Sequence, residues 1–119
     1  MKVIKDSDVA HQDATDNPLF FGGKVFSQPL VRDNKYFNFS MVGFAAGARN
    51  KFHTHTSDQI LFVTGGTGIV ATESEEVTVN HGDTILIPAG EKHWHGATPS
   101  AEFAHISLTA PGSQTQVFD

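Results

Sequence analysis

A chain of 119 residues can bury one hydrophobic core and is too short for two. Thirteen Asp and Glu against eight Lys and Arg leave it mildly acidic, and with no basic cluster it offers no track for nucleic-acid phosphates. No apolar run approaches a membrane span, MKVIKDSDVAHQDA lacks an apolar leader-like stretch, and the absence of cysteine excludes disulfides and thiolate ligands. A cytoplasmic protein is the expectation.

Residues 1–20 are polar and read as an irregular segment with a turn at Asn17-Pro18. Residues 21–110 read as a succession of short strands. YFNFSMVGF (36–44) alternates Phe37, Phe39 and Met41 against Asn38 and Ser40, as a half-buried strand does. DQILFVT (58–64) leads into GGTG, read as a hairpin turn, and then into a separate strand, IVAT. Gly65-Gly66-Thr67-Gly68 has no following Lys or helix, so it is not a phosphate loop. The run Glu73, Glu75 and Glu76 reads as a solvated hairpin tip before EEVTV, and Asn80 to Asp83 as a turn. TILIP, KHWHGA and EFAHISLT follow, and residues 111–119 are left as a tail. Strands of about five or six residues at spacings of about 8–12, without helical periodicity, predict a single all-β sandwich or barrel.

Seven histidines are many for this length, and five of them fall into two H-x-H pairs plus His105. Side chains alternate across a strand, so His53, His55 and Gln59 share one face, and His93 and His95 share another. Closely spaced imidazoles on one face are neutral donors for a divalent transition metal. A solvated polar face is the competing reading of either pair alone, and spacing by itself does not decide between them. His105 shares parity with Phe103, Ser107 and Thr109, so it faces the interior if Phe103 does. Trp94 has the opposite parity to His93, which turns it away from the histidines and toward a second sheet or a second subunit.

The residues flanking the histidines resemble the two boxes of the cupin family. The first box, G-x5-H-x-H-x3,4-E-x6-G, is matched by Gly47, His53, His55, position 59 and Gly66. The second, G-x5-P-x-G-x2-H-x3-N, is matched by Gly82, Pro88, Gly90 and His93. Two positions depart from it: Gln59 stands where the family usually has Glu, and Ala97 where it often has Asn. The run H-x-H-x3-Q, the stretch VTGGTG, GEKHWHGA and the following His105-Ile106-Ser107 resemble one subgroup more closely. These are small single-domain cupins associated with carboxymuconolactone decarboxylases, some of which are manganese-dependent hydroxynitrile lyases.

The resemblance covers about residues 21–108 and implies a cupin jelly-roll barrel with a metal inside its mouth. It assigns His53, His55, Gln59 and His93 as ligands of one divalent transition metal. Manganese or iron is favoured; nickel, cobalt, zinc and copper also suit the donors. His95 is placed beside the site or at its rim, and Ser40, Val42 and Thr109 along the pocket. His105 is the candidate general base, a core histidine bonded to backbone being the alternative. Three imidazoles and an amide carry no charge, so the ion keeps its full +2 and favours an anionic or hydroxyl-bearing small molecule. Ser40 and Thr109 depart from the residues typical of the lyase-like members, which puts the cyanohydrin activity itself in question. A metal-dependent lyase is therefore the leading expectation, with a metal-dependent dioxygenase and a non-catalytic binding or sensing barrel as alternatives. A homodimer is expected, as is common for small cupins.

Overall fold

The structure, a computed structural model, describes residues 1–119. A 3-10 turn at Asp6–Asp8 precedes β1 (Gln12–Asp13), β2 (Phe20–Phe21), β3 (Val25–Val31) and β4 (Asn38–Phe44). Then come β5 (Arg49–Asn50), β6 (His53–His55), the long β7 (Gln59–Thr72) and β8 (Glu76–Asn80). The last four are β9 (Thr84–Ile87), β10 (His93–Ala97), β11 (Phe103–Thr109) and β12 (Thr115–Val117). No helix is long and apolar enough to cross a membrane.

All strand pairs are antiparallel and form two curled faces that share β7. One face runs β1-β3-β4-β11, then the first half of β7, then β9. The other carries β8, the second half of β7, β10 and the short strands β2, β5, β6 and β12. The result is the all-β jelly-roll barrel. Between the faces lies an apolar core of Val25, Phe44, Leu61, Val63, Val70, Val79, Ile87 and Phe103 with Ala48 and Ala97. Each large side chain among them withdraws surface worth roughly 1.5–3 kcal/mol from water.

The segment read as a hairpin turn at GGTG is instead the middle of one continuous strand. Pairing slips by one residue here: His105 faces Val63 while Ala104 faces Gly65, leaving Thr64 as a bulge. A one-residue bulge reverses which parity points inward, so Gln59, Leu61 and Val63 and then Val70 all reach the interior. Gly66 sits at φ +72°, and a Cβ there would run into the Glu102 carbonyl. Glycines thus mark a strand passing from one sheet to the other, where local sequence resembles a reversal.

The alternation in residues 36–44 also sorts differently from the expectation. Val42 and Phe44 pack on the core, so Ser40 shares the inward parity while Phe37, Phe39 and Met41 lie on the outer face. Both faces of β4 are apolar enough that period two alone does not identify the inner one. The outer face of the first sheet leaves Phe37, Ile60, Phe62 and Leu86 exposed. Of the other phenylalanines, Phe44 is core and Phe20 packs against it, whereas Phe26 stacks on His11 at 4.3 Å between ring centroids and Phe21 is exposed.

The polar N-terminal segment is held down by Gln28, whose buried amide donates to the carbonyls of Asp6 (2.8 Å) and Val9 (2.9 Å). The final stretch contributes β12, which lies along β6. Trp94 turns away from the histidines, and its cover comes from the same chain. The Arg49 guanidinium lies 3.4 Å from the ring centroid, where Gly96 lets β5 pass close to β10.

Candidate metal centre

Two strands deliver the histidines to one place, and a third adds Gln59. β6 carries His53 and His55, β10 carries His93, and His93 is register-paired with both His53 and Thr72. One ring nitrogen from each of His53, His55 and His93 lies within 4.8 Å of the others. Gln59, at the start of β7, brings its Oε1 to 3.1 Å from His93 Nε2.

The other ring nitrogens fix which atoms face inward. Nδ1 of His53 is 2.7 Å from the Lys51 carbonyl, and Nδ1 of His93 is 2.8 Å from the Glu91 carbonyl. A carbonyl only accepts, so each Nδ1 carries the proton and each Nε2 presents a lone pair. His55 Nδ1 is 3.0 Å from the Thr115 hydroxyl, and its Nε2 is buried without a partner. Gln59 donates its amide nitrogen to Ser107 Oγ at 2.9 Å, which turns its carbonyl oxygen toward His93. His53 Nε2, His93 Nε2 and Gln59 Oε1 are therefore three inward acceptors, and His55 Nε2 is a fourth when its Nδ1 donates to the Thr115 hydroxyl; such a set repels itself until a cation sits among it. These residues fit a divalent metal ion.

Their electrostatics agree. Burial lowers the His53 pKa to about 3, with the neighbouring His93 and His55 adding to the effect. Burial and then His93 bring His55 to about 4, and burial also lowers His93. All three are neutral at ordinary pH, the form a metal requires.

A second pair lies deeper. His95 and His105 are fully packed, with His105 Nε2 3.0 Å from His95 Nδ1. His95 stands between the two groups, its ring centroid 5.6 Å from that of His53 and 4.7 Å from that of His105. Asn50, which the sequence reading did not single out, is buried and anchors it. The His95 backbone N–H donates to Asn50 Oδ1 at 2.8 Å. Asn50 Nδ2 lies 3.2 and 3.4 Å from the two ring nitrogens, too evenly placed to bond either firmly. Burial lowers the His105 pKa to about 4, and burial followed by the charge of His105 pushes His95 well down.

Val42 is paired with His105 and Ser40 with Ser107, so both border this interior row. Thr109 lies farther along, half-buried and paired with Asn38 at the end of β11. A cleft of about 450 Å³ opens between the edges of β8 and β9 and reaches His93. Val70, Val77, Val79, Ile85 and Ile87 line it, with Glu75, Asp83 and Glu91 on its margin. A larger cavity, about 750 Å³, lies around Phe26, Gly43 and Phe103 and touches none of the clustered histidines. Side-chain chemistry, rather than volume, locates the centre.

Residues 40–108 match the family description of the cupin domain. The chain belongs to the cupin family. This cupin is 38% identical over 92 residues to an (R)-mandelonitrile lyase from Granulicella tundricola, a match covering 75% of the chain and 70% of the relative. It is 39% identical over 65 residues to an acireductone dioxygenase from Parasynechococcus marenigrum, covering 49% of the chain but only 35% of that protein. A cupin-like protein from Thermotoga maritima superposes with a TM-score of 0.78 at 29% identity, over 97% of this cupin and 83% of that structure. The chain is a small jelly-roll cupin resembling the hydroxynitrile lyase-like subgroup, with a three-histidine group able to hold a metal.

Proposed function

We propose that this cupin is a metal-dependent enzyme acting on a small hydroxyl-bearing molecule, with cleavage of a cyanohydrin to an aldehyde and cyanide as its sharpest form. The observation carrying the proposal is the convergence of acceptors from His53, His55, His93 and Gln59 beside a hydrogen-bonded His95–His105 pair. Similarity to the mandelonitrile lyase supports the same reading. The ligands are those four side chains, and manganese or iron is the ion proposed.

A divalent ion held there supplies Lewis acidity toward the substrate hydroxyl. His105, the proposed base, acts through His95: an imidazole kept neutral by burial accepts the hydroxyl proton as the carbon–carbon bond breaks. The bonding pair leaves with cyanide, the former hydroxyl carbon becomes a carbonyl, and the imidazolium returns its proton to cyanide. Apolar walls in the β8–β9 cleft suit an aliphatic or aromatic substituent, and the carboxylates on its margin favour an uncharged substrate over an anion. Ser40, Val42 and Thr109 would shape the pocket around it. The exposed apolar residues Ile60, Phe62 and Leu86 form an uncharged face suited to a homodimer contact.

The test is elemental analysis of untagged protein followed by turnover of mandelonitrile and aliphatic cyanohydrins. About one equivalent of metal together with cyanide release supports the proposal. Metal without release of cyanide from any cyanohydrin overturns the lyase form. The acireductone dioxygenase match supports a second reading, oxygen-dependent cleavage at the same centre; oxygen uptake with a diketone or enediol substrate separates the two.

A further inference from the structure

The three clustered imidazoles are not oriented alike. His53 and His93 each use the carbonyl two residues earlier in their own segments, at Lys51 and Glu91. The corresponding carbonyl for His55 belongs to His53, which is register-paired on both sides, with His93 of β10 and Val117 of β12. His55 instead takes its partner from another strand, the hydroxyl of Thr115 at 3.0 Å.

The segment carrying that hydroxyl is tied down along its length. Thr115 pairs with His55, Gln116 with Thr54 and Val117 with His53. Before it, Thr56 N–H donates to the Gln114 carbonyl (3.0 Å), Gln114 N–H donates to Thr56 Oγ1 (2.9 Å), and the Ser57 and Ser113 hydroxyls meet at 3.0 Å. Beyond it, Phe118 N–H donates to the Phe52 carbonyl at 2.8 Å. Yet β12 is exposed and strand-pairs with β6 alone. It is a strap across the outer side of the strand that carries two of the histidines.

We propose that this strap is a working part of the metal centre: Thr115 is a positioning residue that orients His55, and strap and metal stabilise each other. This rests on the metal-site reading above. If the hydroxyl holds Nδ1–H, His55 Nε2 is held inward before a cation arrives; without it the ring can rotate, and binding must supply the ordering. Linkage makes the effect reciprocal, so a bound ion should hold the strap onto β6 by the same factor that the strap favours the ion.

Co²⁺ alone serves as the probe, with affinity read by competition against a chromophoric chelator and geometry by the visible ligand-field spectrum. Thr115→Val keeps shape and strand preference and removes only the hydroxyl. It should bind Co²⁺ about 10–100-fold more weakly, with a changed spectrum. Thr115→Ser, which restores the hydroxyl, should return both toward wild type. Amide exchange at residues 113–118 should slow when Co²⁺ is added to the wild type and change less in Thr115→Val. Thr115→Val binding as tightly as wild type would overturn the role of the strap and leave the metal site standing. Thr115→Ser as weak as Thr115→Val would overturn the hydroxyl as the orienting group. Wild-type protein that takes up no Co²⁺ would overturn both readings.

Discussion

Two groups of histidines share one barrel and are built on opposite plans. His53, His55 and His93 send their Nδ1 atoms outward to fixed partners and leave their Nε2 atoms converging. His95 and His105 turn toward each other, one nitrogen against another at 3.0 Å, with Asn50 gripping the backbone of the first. The first group converges its nitrogens on one point; the second joins its two rings directly and leaves His105 Nδ1 buried without a partner. Hydrogen-bond partners thus separate nitrogens left converging from nitrogens bonded to each other, although residue type is identical throughout.

Removing one member of the first group should have the largest effect. His53→Ala or His93→Ala should abolish stoichiometric metal retention and turnover together, measured by elemental analysis beside cyanide release. Changing the second group should separate those two readouts. His105→Gln should keep the metal and lower kcat by roughly 10²–10⁴-fold; equal loss of metal would erase the distinction between the groups.

Acid provides a test that touches both. Unfolded histidines titrate near 6.5, whereas in the fold His105 and His55 stand at about 4 and His53 at about 3. Between those values the unfolded chain binds more protons, so lowering the pH favours unfolding. Metal-free protein should keep its full stability above about pH 6.5 and lose it progressively toward pH 4 and below. His105 alone accounts for ~3 kcal/mol at about 1.4 kcal/mol per pH unit. Chemical denaturation at several pH values measures this, and a flat profile would contradict the buried neutral pair.

Two smaller changes refine the picture. Asn50→Ala strands the buried His95 N–H and should cost about 1–3 kcal/mol of stability, read as a shift in denaturation midpoint, with metal affinity little changed. Ser107→Ala frees the Gln59 amide to turn over and should weaken metal binding about tenfold, read by chelator competition.

Much of the architecture was legible because strand alternation and the spacing of the two boxes are local. Parity within β6 puts His53 and His55 together, whereas Gln59 begins a separate strand, β7, and reaches them through the bent segment 56–58 instead of through the shared parity expected of one continuous strand. Three features were not legible, each for a physical reason. The bulge at Thr64 inverts parity within one strand, and no propensity distinguishes its glycines from those of a turn. The Lys51 and Glu91 carbonyls that orient their histidines belong to the backbone and leave no mark in residue identity. Thr115 and Asn50 act across sequence separations of 60 and 45 residues, and only the strand pairing brings them to their histidines.

The bulged strand β7 has a dynamic consequence. Its hydrogen bonds enter both sheets, so exposing its central amides requires the two sheets to come apart together, and these should be among the last to exchange with solvent. The edge strands β8 and β9, each paired on one side only, can open at far lower cost. Gln59 begins β7 opposite Ile87 of the edge strand β9, but its side-chain amide is held by Ser107 of β11, a strand paired on both sides, while the apolar cleft lies between β8 and β9. The edges of the cleft can open while the Ser107 bond keeps the Gln59 carbonyl turned toward the histidines.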